Sequence, residues 1–420
     1  MMALKRLIGI SMFSVAWSVL AEASISDVVV NQRWPWSEKV DVDFVLSGVT
    51  NDVEVTATWD AHPEPYRLGT VFAAAPGQNR LTWDPARSPF KGQTLTGFTV
   101  AVSNVAASAH TYLVLDLVNG GYEFMAAPPS GGWTAAHKSS KMVFRRIPAG
   151  TYTLGEPVET FKFLKLSDSS ANTYATLWNR RTVTFTSDFY VGVFKYTEAQ
   201  HECLNSGTAG TSCKPKKVSY DSLRGGLDAA DWPSKGYTVG ADSVVAKLRA
   251  KAGGALVIDL CEEEQWEVAA RAGTTTILPN GVTTDNYDVF TNSLGEIAAW
   301  YGTVGSAEAT VGLFAPNDWG LYDVVGLVGE WMLDTAVKQG SGALPKSGLV
   351  NSTDPTGVDL SAYNSEYRIF RTASANYEGA ALYNIIPCSR QMASHSSEYT
   401  CSTRFCIHLK PLGSLTFEGL

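Results

Sequence analysis

The sequence feature that most constrains the fold is the stretch at residues 316–331, PNDWGLYDVVGLVGEW, in which acidic residues, glycines and aromatics recur at close intervals. Asp323 and Glu330 place two carboxylates seven residues apart. The glycines between them allow the backbone to curl, so that carbonyls such as those of Gly326 and Val328 can point the same way. Carboxylate and main-chain oxygens are the ligands that a hard cation such as calcium prefers. The stretch therefore predicts a calcium-binding turn.

A second interpretation of the same stretch needs no metal. An acidic, glycine-rich turn is also held when its aromatic side chains pack against the body of the protein, and the stretch contains Trp319, Tyr322 and Trp331. Spacing alone does not separate a packed turn from a calcium turn. Both interpretations stay open at this point.

The length of the chain allows more than one domain. It has 420 residues, and a typical domain has roughly 100 to 200, so we expect two or three. The net charge is −8 and no long basic run occurs, which argues against a nucleic-acid partner. Frequent glycine and an aromatic content of 11% favour loop-rich β or α+β architecture over helical bundles.

Residues 1–23 have the pattern of a secretory signal peptide. Lys5 and Arg6 precede an apolar run at residues 7–20, and a small-x-small cleavage site ends at Ala23. The run is short for a membrane span, and a retained N-terminal anchor is the alternative. No other stretch of the sequence is suited to span a bilayer, so we expect the mature chain to be secreted, periplasmic or displayed at the cell surface.

The chain has six cysteines, and export would permit them to form disulfides. Cys203 and Cys213 bracket a short loop of small residues that a disulfide would close easily. We therefore expect this pair to be bridged. The sequence leaves the pairing of the other four open, which are Cys261, Cys388, Cys401 and Cys406.

Region 24–120 is predicted to be an all-β domain. Strands are expected at residues 27–30, 40–46, 53–59, 96–104 and 112–117. In the second and third of these, polar and apolar residues alternate, which places the apolar side chains on one face. Several short strands separated by turn residues suggest an immunoglobulin-like sandwich. The sequence assigns no chemistry to this region.

A polar stretch rich in proline, glycine and serine predicts a linker over residues 121–141. The region after it, 142–413, mixes strands and helices. Strands are expected within 142–154 and 182–193, and helices at 198–204, 243–251 and 262–272. Thr197 and Gln200 form a capping box that predicts the start of the first helix, and Gly273 predicts the end of the last.

Five segments of this second region, in order, resemble the formylglycine-generating enzyme or sulfatase-modifying factor family. They are FRRIPAGTYTLG at 144–155, FYVGVFKYTEAQ at 189–200, LCEEEQWEVAARAG at 260–273, the stretch at 316–331 and RIFRTAS at 368–374. The resemblance covers about residues 142 to 410. It implies a loop-rich α+β fold related to C-type lectin-like domains. The whole chain is therefore expected to be multidomain, with the all-β sandwich followed by this α+β domain.

The resemblance also implies structural calcium. In the family, one calcium ion is bound at the positions that match Asp323, Gly326, Val328 and Glu330. The first supplies a side-chain oxygen, the next two supply carbonyls and the last supplies a carboxylate, and each residue here can do so. Leu327 and Gly329 stand where the family has Asn and Trp, so the local packing is expected to differ.

The cysteines that bind copper in this family are missing at the matching positions. The family's enzyme oxidises a cysteine of a sulfatase to formylglycine, using oxygen and a copper(I) ion held by two thiolates, which suit this soft metal. Counting from Arg371 places Tyr377 and Leu382 there, and neither side chain binds copper. Cys401 and Cys406 have the same separation but fall in the expected final strand, where they would lie on opposite faces and roughly 16 Å apart. Copper is therefore not expected.

Two functions from different classes follow from this pattern. We favour an exported, non-catalytic binding scaffold whose C-terminal surface, residues 373–403, recognises a protein or glycan through its tyrosine and small polar residues. The alternative is a retained formylglycine-generating oxidoreductase. The same segment resembles the variable regions of retroelement-diversified proteins, some of which use this fold. Iron-dependent sulfoxide synthesis, as in related two-domain proteins, needs a histidine cluster that the six histidines do not form.

Overall fold

The structure, a computed structural model, describes residues 23–33, 36–226, 236–304, 309–336, 338–339, 342–343, 351–355, 367–372, 382–397 and 401–409. The predicted signal peptide, apart from its last residue, lies outside these ranges. So do residues 373–381 and 398–400 of the predicted recognition surface. In the described part of the chain, none of the helices has the length and apolar character needed to cross a membrane.

Two antiparallel sheets form the N-terminal region. Their strands are β1 Ser24–Gln32, β2 Val40–Ser47, β3 Asn51–Trp59, β4 His62–Ala74, β5 Gly77–Trp83 and β6 Thr99–Val105. The sheets have the orders β1-β2-β5 and β4-β3-β6, and Val42, Phe44 and Val55 lie in the core that they share. The β-rich character of this region is confirmed, whereas an immunoglobulin-like sandwich stays a prediction.

A six-stranded sheet lies at the centre of the remaining chain. Its strands are β7 Tyr112–Asp116, β8 Tyr122–Met125, β9 Lys141–Ile147, β12 Phe189–Gly192, β13 Ile258–Leu260 and β21 Phe405–His408. They have the order β13-β21-β12-β9-β7-β8. Because side chains alternate between faces along a strand, Val114 and Val143 join one hydrophobic cluster while Leu113 and Phe144 join a second on the opposite face.

β7 and β8 belong to this central sheet, although the strand at 112–117 was predicted to complete the N-terminal domain. β7 pairs with β9, and Leu113 lies opposite Phe144. The stretch predicted to be a linker contains β8 and a 3-10 helix at Ala135–Lys138. Alternation in a sequence locates a strand but does not identify its partner, which explains the difference.

Three smaller sheets complete the strands that the structure describes. β10 Gly150–Leu154, β11 Arg181–Phe185 and β17 Ser352–Thr353 form one. β14 Gly329–Ala336, β18 Tyr367–Arg371, β19 Arg390–Ser394 and β20 Cys401–Ser402 form another, in the order β19-β18-β14-β20. β15 Lys338–Gln339 pairs with β16 Gly342–Ala343. The single strands expected at 182–193 and at the C-terminal end are thus each divided between two sheets.

The helices are α1 Val158–Phe163, α2 Asp168–Leu177, α3 Glu198–Ser206, α4 Tyr220–Arg224, α5 Val244–Lys251, α6 Glu263–Arg271, α7 Tyr287–Ile297 and α8 Tyr301–Val304. α3, α5 and α6 confirm the three predicted helices. At the start of α3 the Thr197 hydroxyl accepts a hydrogen bond from the Gln200 backbone amide, and the Gln200 side-chain oxygen accepts one from the Thr197 backbone amide. The predicted capping box is therefore present.

A buried ion pair joins the N-terminal region to the central sheet. Asp52 on β3 contacts the guanidinium of Arg146 on β9, and His110 Nδ1 lies 2.7 Å from the same carboxylate. Burial alone would raise the pKa of Asp52, but hydrogen bonds from His110 and Arg146 lower it to about 2. The Tyr190 hydroxyl also donates to the His110 carbonyl over 2.6 Å. The two regions are therefore packed against each other through polar contacts in their interior.

Candidate functional site

Near its start, the stretch at 316–331 is hydrogen-bonded to the C-terminal end of helix α6. The Asn317 amide donates to the carbonyls of Ala269 and Ala270, over 2.8 and 3.0 Å. Its side-chain oxygen accepts from the backbone amides of Trp319 and Leu321. The Asn317 side chain therefore pairs with two of the carbonyls that are left without a partner at the C-terminus of α6. It also fixes the backbone turn at residues 317–321.

The aromatic side chains of the stretch pack as the metal-free interpretation requires. Tyr322 stacks on Phe194 with ring centroids 4.9 Å apart. Trp331 is fully buried, and its indole nitrogen donates to the Val218 carbonyl over 2.8 Å. These contacts hold both sides of the turn in place through packing and hydrogen bonding, and they do not involve an ion.

The turn follows a backbone path that restricts which residues it accepts. Asp323 and Leu327 have φ values of 57° and 65°, in the left-handed region that aspartate tolerates better than leucine does. Gly326 has a φ of 75°, and a Cβ atom there would lie 2.5 Å from the Ala299 carbonyl oxygen. Glycine is therefore required at position 326, as the curled turn predicted.

Gly329, at a position where the family resemblance implies tryptophan, is surrounded by neighbouring side chains that fill the space. A Cβ atom at this position would lie 2.8 Å from the Phe370 ring and 3.0 Å from the Cys401 sulfur. No bulky side chain fits there without movement of β18 or β20. Position 329 is therefore closely packed in this chain, and a difference in packing from the family stays a prediction.

The Glu330 carboxylate is fully buried and accepts hydrogen bonds on both oxygens. Oε1 lies 2.5 Å from Lys195 Nζ, and Oε2 accepts from Trp266 Nε1 over 3.0 Å and from Arg404 Nε over 2.8 Å. Burial would raise the pKa of Glu330, but Arg404 and Lys195 lower it to about 2. The carboxylate is therefore ionised and surrounded by donors.

Lys195, between β12 and α3, contacts the turn directly, as Arg404 does. Its side chain is fully buried, and Nζ donates to the Val328 carbonyl over 2.8 Å as well as to Glu330. Burial lowers the pKa of Lys195, and the Glu330 charge opposes this shift. Lys195 therefore binds two of the four residues that were predicted to bind calcium.

The other two predicted ligands have different surroundings. Asp323 is buried, its Oδ2 accepts from the Gly312 amide over 2.7 Å, and its Oδ1 has no hydrogen-bond partner. Burial raises the pKa of Asp323. The Gly326 carbonyl accepts from the Val328 amide over 2.9 Å. Of the four ligand positions, only Asp323 retains a side-chain oxygen without a donor.

These contacts bear on whether the four residues fit a calcium ion. Calcium takes six to eight oxygen ligands, whereas the Val328 and Glu330 oxygens here already accept from an ammonium group. As arranged, the site does not fit the ion without displacement of Lys195. Calcium at Asp323, Gly326, Val328 and Glu330 therefore stays a prediction from the resemblance.

Lys195 was not among the predicted site residues, although the sequence contains a signal of its burial. The residue is the only charged one within the apolar run FYVGVFKY at 189–196. A lone lysine in a run that pairs as a buried strand must find an acceptor inside the protein. The acceptor comes from a turn more than 130 residues later, so the sequence did not identify the pair.

A second buried cluster supports the segment where the family's cysteines would follow. Arg371 donates to Glu267 over 3.1 Å and to the Pro387 carbonyl over 3.3 Å, and Arg390 contacts Glu263. Burial would raise the pKa of Glu267, but Arg271 and Arg371 lower it to about 2. The arginine of the RIFRTAS segment therefore ties β18 to helix α6.

Carboxylate oxygens of Glu263, Glu264 and Asp334 lie within 4.8 Å of one another, which is close enough for a shared ion. Arginines already compensate this group, because Arg181 pairs with Glu264 over 3.3 Å and Arg390 pairs with Glu263. Burial and the neighbouring glutamates raise the pKa of Asp334 well above its usual value. The negative charge of this group is thus compensated by neighbouring arginines.

The structure corrects the predicted disulfide. Cys261 is bonded to Cys406, with Cα atoms 4.9 Å apart, whereas Cys203 and Cys213 are free thiols. Cys203 faces the hydrophobic core from helix α3 instead of facing the loop that ends at Cys213. The observed bridge forms because β13 pairs with β21, 145 residues later, which spacing along the sequence does not indicate.

The four cysteines outside the disulfide are buried or half-buried free thiols. All six lie in the described part of the chain, and Cys388 and Cys401 are buried thiols. Burial raises the pKa of both well above the usual value for cysteine, which disfavours the thiolate that a metal requires. Of the two positions that match the family's cysteines, Leu382 is a buried apolar residue and Tyr377 lies outside the described residues.

Comparison with known proteins agrees with this arrangement of segments. A family described as sulfatase-modifying factor enzyme 1-like domain matches residues 134–378. Among solved structures, Treponema denticola variable protein 1 is 18% identical, with a TM-score of 0.44, over 66% of this chain and 97% of that chain. CarF is 14% identical, with a TM-score of 0.33, over 63% of this chain and 97% of that chain. No curated protein matches. Since the matched residues make up more than half of the chain, it belongs to the sulfatase-modifying factor enzyme 1-like family.

Proposed function

We propose that this family member is a non-catalytic binding scaffold. The supporting observation is the state of its cysteines, because oxidation by copper(I) needs two thiolates that reach one ion. Cys261 and Cys406 are bonded to each other, and Cys388 and Cys401 lie in the core. None of the six cysteines thus offers a pair at the family's catalytic positions.

The C-terminal recognition surface, residues 373–403, is supported by the position of β19. This strand is at the edge of its sheet, and its side chains from Gln391 to Ser394 are half-buried. His395, just after the strand, pairs with Asp221 on helix α4 over 2.6 Å. An edge strand with half-buried polar side chains such as those of Gln391 and Ser394 can present contacts to a protein or glycan ligand.

Export is part of the proposal, and the disulfide supports it. Bridges such as Cys261–Cys406 persist in oxidising compartments and are rare in the cytosol. The chain expressed in its source is expected to be found outside the cytoplasm and to start after Ala23. N-terminal peptide mapping of the mature protein tests this, and a cytoplasmic protein that retains residues 1–23 would contradict it.

The catalytic test uses the full chain, loaded with copper(I) under oxygen and incubated with a sulfatase-type cysteine peptide. We expect no peptide aldehyde by mass spectrometry. A copper-dependent formylglycine-generating enzyme, assayed in parallel, shows that the peptide and metal are competent. Aldehyde formed by this chain would overturn the proposal and restore the oxidoreductase alternative.

The binding test compares two arginine substitutions on glycan and extracellular-protein arrays. Ser394→Arg places a long charged side chain on the edge strand β19, whereas Thr176→Arg places one on an exposed position of helix α2. We expect the wild-type chain and Thr176→Arg to bind the same ligand and Ser394→Arg to lose at least tenfold in affinity. Equal binding by all three proteins would place the ligand elsewhere and contradict the surface.

A further inference from the structure

We propose that the ammonium group of Lys195 takes the place of a calcium ion in this chain, so that the turn at 323–330 closes on an internal cation. The inference goes beyond the binding function, since it concerns what stabilises the framework. It predicts a member of the family whose turn folds without the metal.

The first argument is the position of the ammonium group. Nζ lies 2.8 Å from the Val328 carbonyl oxygen and 2.5 Å from Glu330 Oε1, and both are among the residues expected to bind the ion. Lys195 enters from the segment between β12 and α3, which is remote from the turn in sequence. A cation supplied by the chain therefore contacts the ligands at which the metal was predicted.

The second argument is the charge of the cluster. Asp323 and Glu330 supply two formal negative charges, while Lys195 and Arg404 supply two positive ones, and all four side chains are buried. Arg404 contacts Glu330 through Nε and Nη2, over 2.8 and 3.3 Å. The group is thus neutral as it stands. A divalent cation would add two uncompensated charges in a buried site, which is costly.

The third argument is the supply of oxygen atoms. Both Glu330 oxygens accept from cationic or indole donors, and the Val328 carbonyl accepts from Lys195. Asp323 Oδ1 is without a donor, but a single carboxylate oxygen falls short of the coordination that calcium requires. An ammonium needs only a few acceptors, and the turn supplies them.

The experiment measures the thermal unfolding of the full chain in calcium chloride and in EDTA, together with the calcium content of the protein by elemental mass spectrometry. We expect the same Tm in both solutions and no stoichiometric calcium. One tightly held calcium per chain, with a Tm that falls by several degrees in EDTA, would overturn the inference. This result does not depend on any variant being able to fold.

A substitution sharpens the test. Lys195→Ala removes the ammonium and opens space, so we expect a lower Tm in EDTA and a partial recovery on addition of calcium. Lys162→Ala is the matched control, because Lys162 is exposed and pairs with exposed Asp168; it should unfold as the wild type does in both solutions. A Lys195→Ala chain as stable as the wild type would contradict the inference. Neither readout depends on ligand binding, so failure here is distinguishable from failure of the proposed function.

Discussion

Trp266 Nε1 donates a hydrogen bond to Glu330 Oε2 over 3.0 Å, and this contact joins helix α6 to the turn at 316–331. Trp266→Phe keeps most of the ring but leaves the buried carboxylate without one donor. We expect the free energy of unfolding to fall by about 1.5 to 3 kcal/mol, since the acceptor is charged. Urea denaturation measures the loss. Trp36→Phe is the control, because Trp36 is 89% exposed, and an equal loss in both variants would contradict the role of the hydrogen bond.

Removal of the Glu330 charge should be more damaging than removal of one of its donors. Glu330→Gln keeps the shape of the side chain but removes the carboxylate charge that both Lys195 and Arg404 contact. A loss of about 3 to 5 kcal/mol is expected in urea denaturation. Glu123→Gln removes a partner of Lys141 at the surface and should cost at most about 1 kcal/mol. Losses of the same size would show that the turn does not depend on this charge.

Acid should weaken the contact between the N-terminal region and the central sheet. The folded pKa of Asp52 is about 2, below the ordinary value of ~3.9, so its contribution is complete above pH ~4 and is lost as the pH falls towards 2. The shift corresponds to about 2 to 3 kcal/mol at neutral pH. Asp52→Asn should therefore flatten this part of a plot of unfolding free energy against pH.

Asp168→Asn, at an exposed carboxylate, is the control for the acid measurement and should leave the slope unchanged. Glu267 and Glu330 also have folded pKa values of about 2, so the Asp52 variant should retain part of the acid sensitivity. A slope identical to that of the wild type would mean that Asp52 titrates normally in the folded chain.

The disulfide between Cys261 and Cys406 predicts both a loss of stability on its removal and the number of reactive thiols in the chain. Cys406→Ser should lower the free energy of unfolding by about 2 to 4 kcal/mol, because the bridge closes a long loop in the unfolded chain. Cys213→Ser removes a free, half-buried thiol and should have a much smaller effect. Thiol titration of the unreduced, denatured wild type should find four reactive groups. Six would show that the bridge does not form.

Thr372 is a site where the chain can be made more stable. Its φ is 52°, a left-handed conformation that is unfavourable for a β-branched residue by about 1 to 2 kcal/mol, and the family has glycine there. Thr372→Gly should raise Tm more than Thr372→Ala does, since alanine retains the Cβ atom. Calorimetry of the two variants checks this. A larger gain from alanine would indicate that the buried hydroxyl, not the backbone, is unfavourable.

Local signals in the sequence predicted local structure well. Thr197 caps the start of helix α3 at Glu198, and helix α6 ends at Arg271, two residues before Gly273, because capping depends on residues a few positions apart. Glycine at 326 followed in the same way from the curl of the turn. The family resemblance, which rests on five ordered segments, placed the second region correctly.

Contacts between distant segments were beyond such reasoning. The bridge between Cys261 and Cys406 depends on the pairing of β13 with β21. Because β7 pairs with β9, it belongs to the central sheet and not to the predicted N-terminal domain. The contact between Lys195 and Glu330 likewise depends on the position of β12 in the central sheet. In each case the sequence shows the type of residue that needs a partner. The partner itself depends on which strands pair in the sheet, and the alternation of polar and apolar residues does not predict that pairing.

The buried contact between Asp52 and Arg146 has a consequence for movement between the N-terminal region and the central sheet. Separation of the two regions would break this buried ion pair, which is strongly destabilising when one partner is lost, together with a hydrogen bond of 2.9 Å from Arg67 on β4 to the Tyr122 carbonyl on β8. A hinge motion between the N-terminal sheets and the central sheet would therefore have to break both contacts.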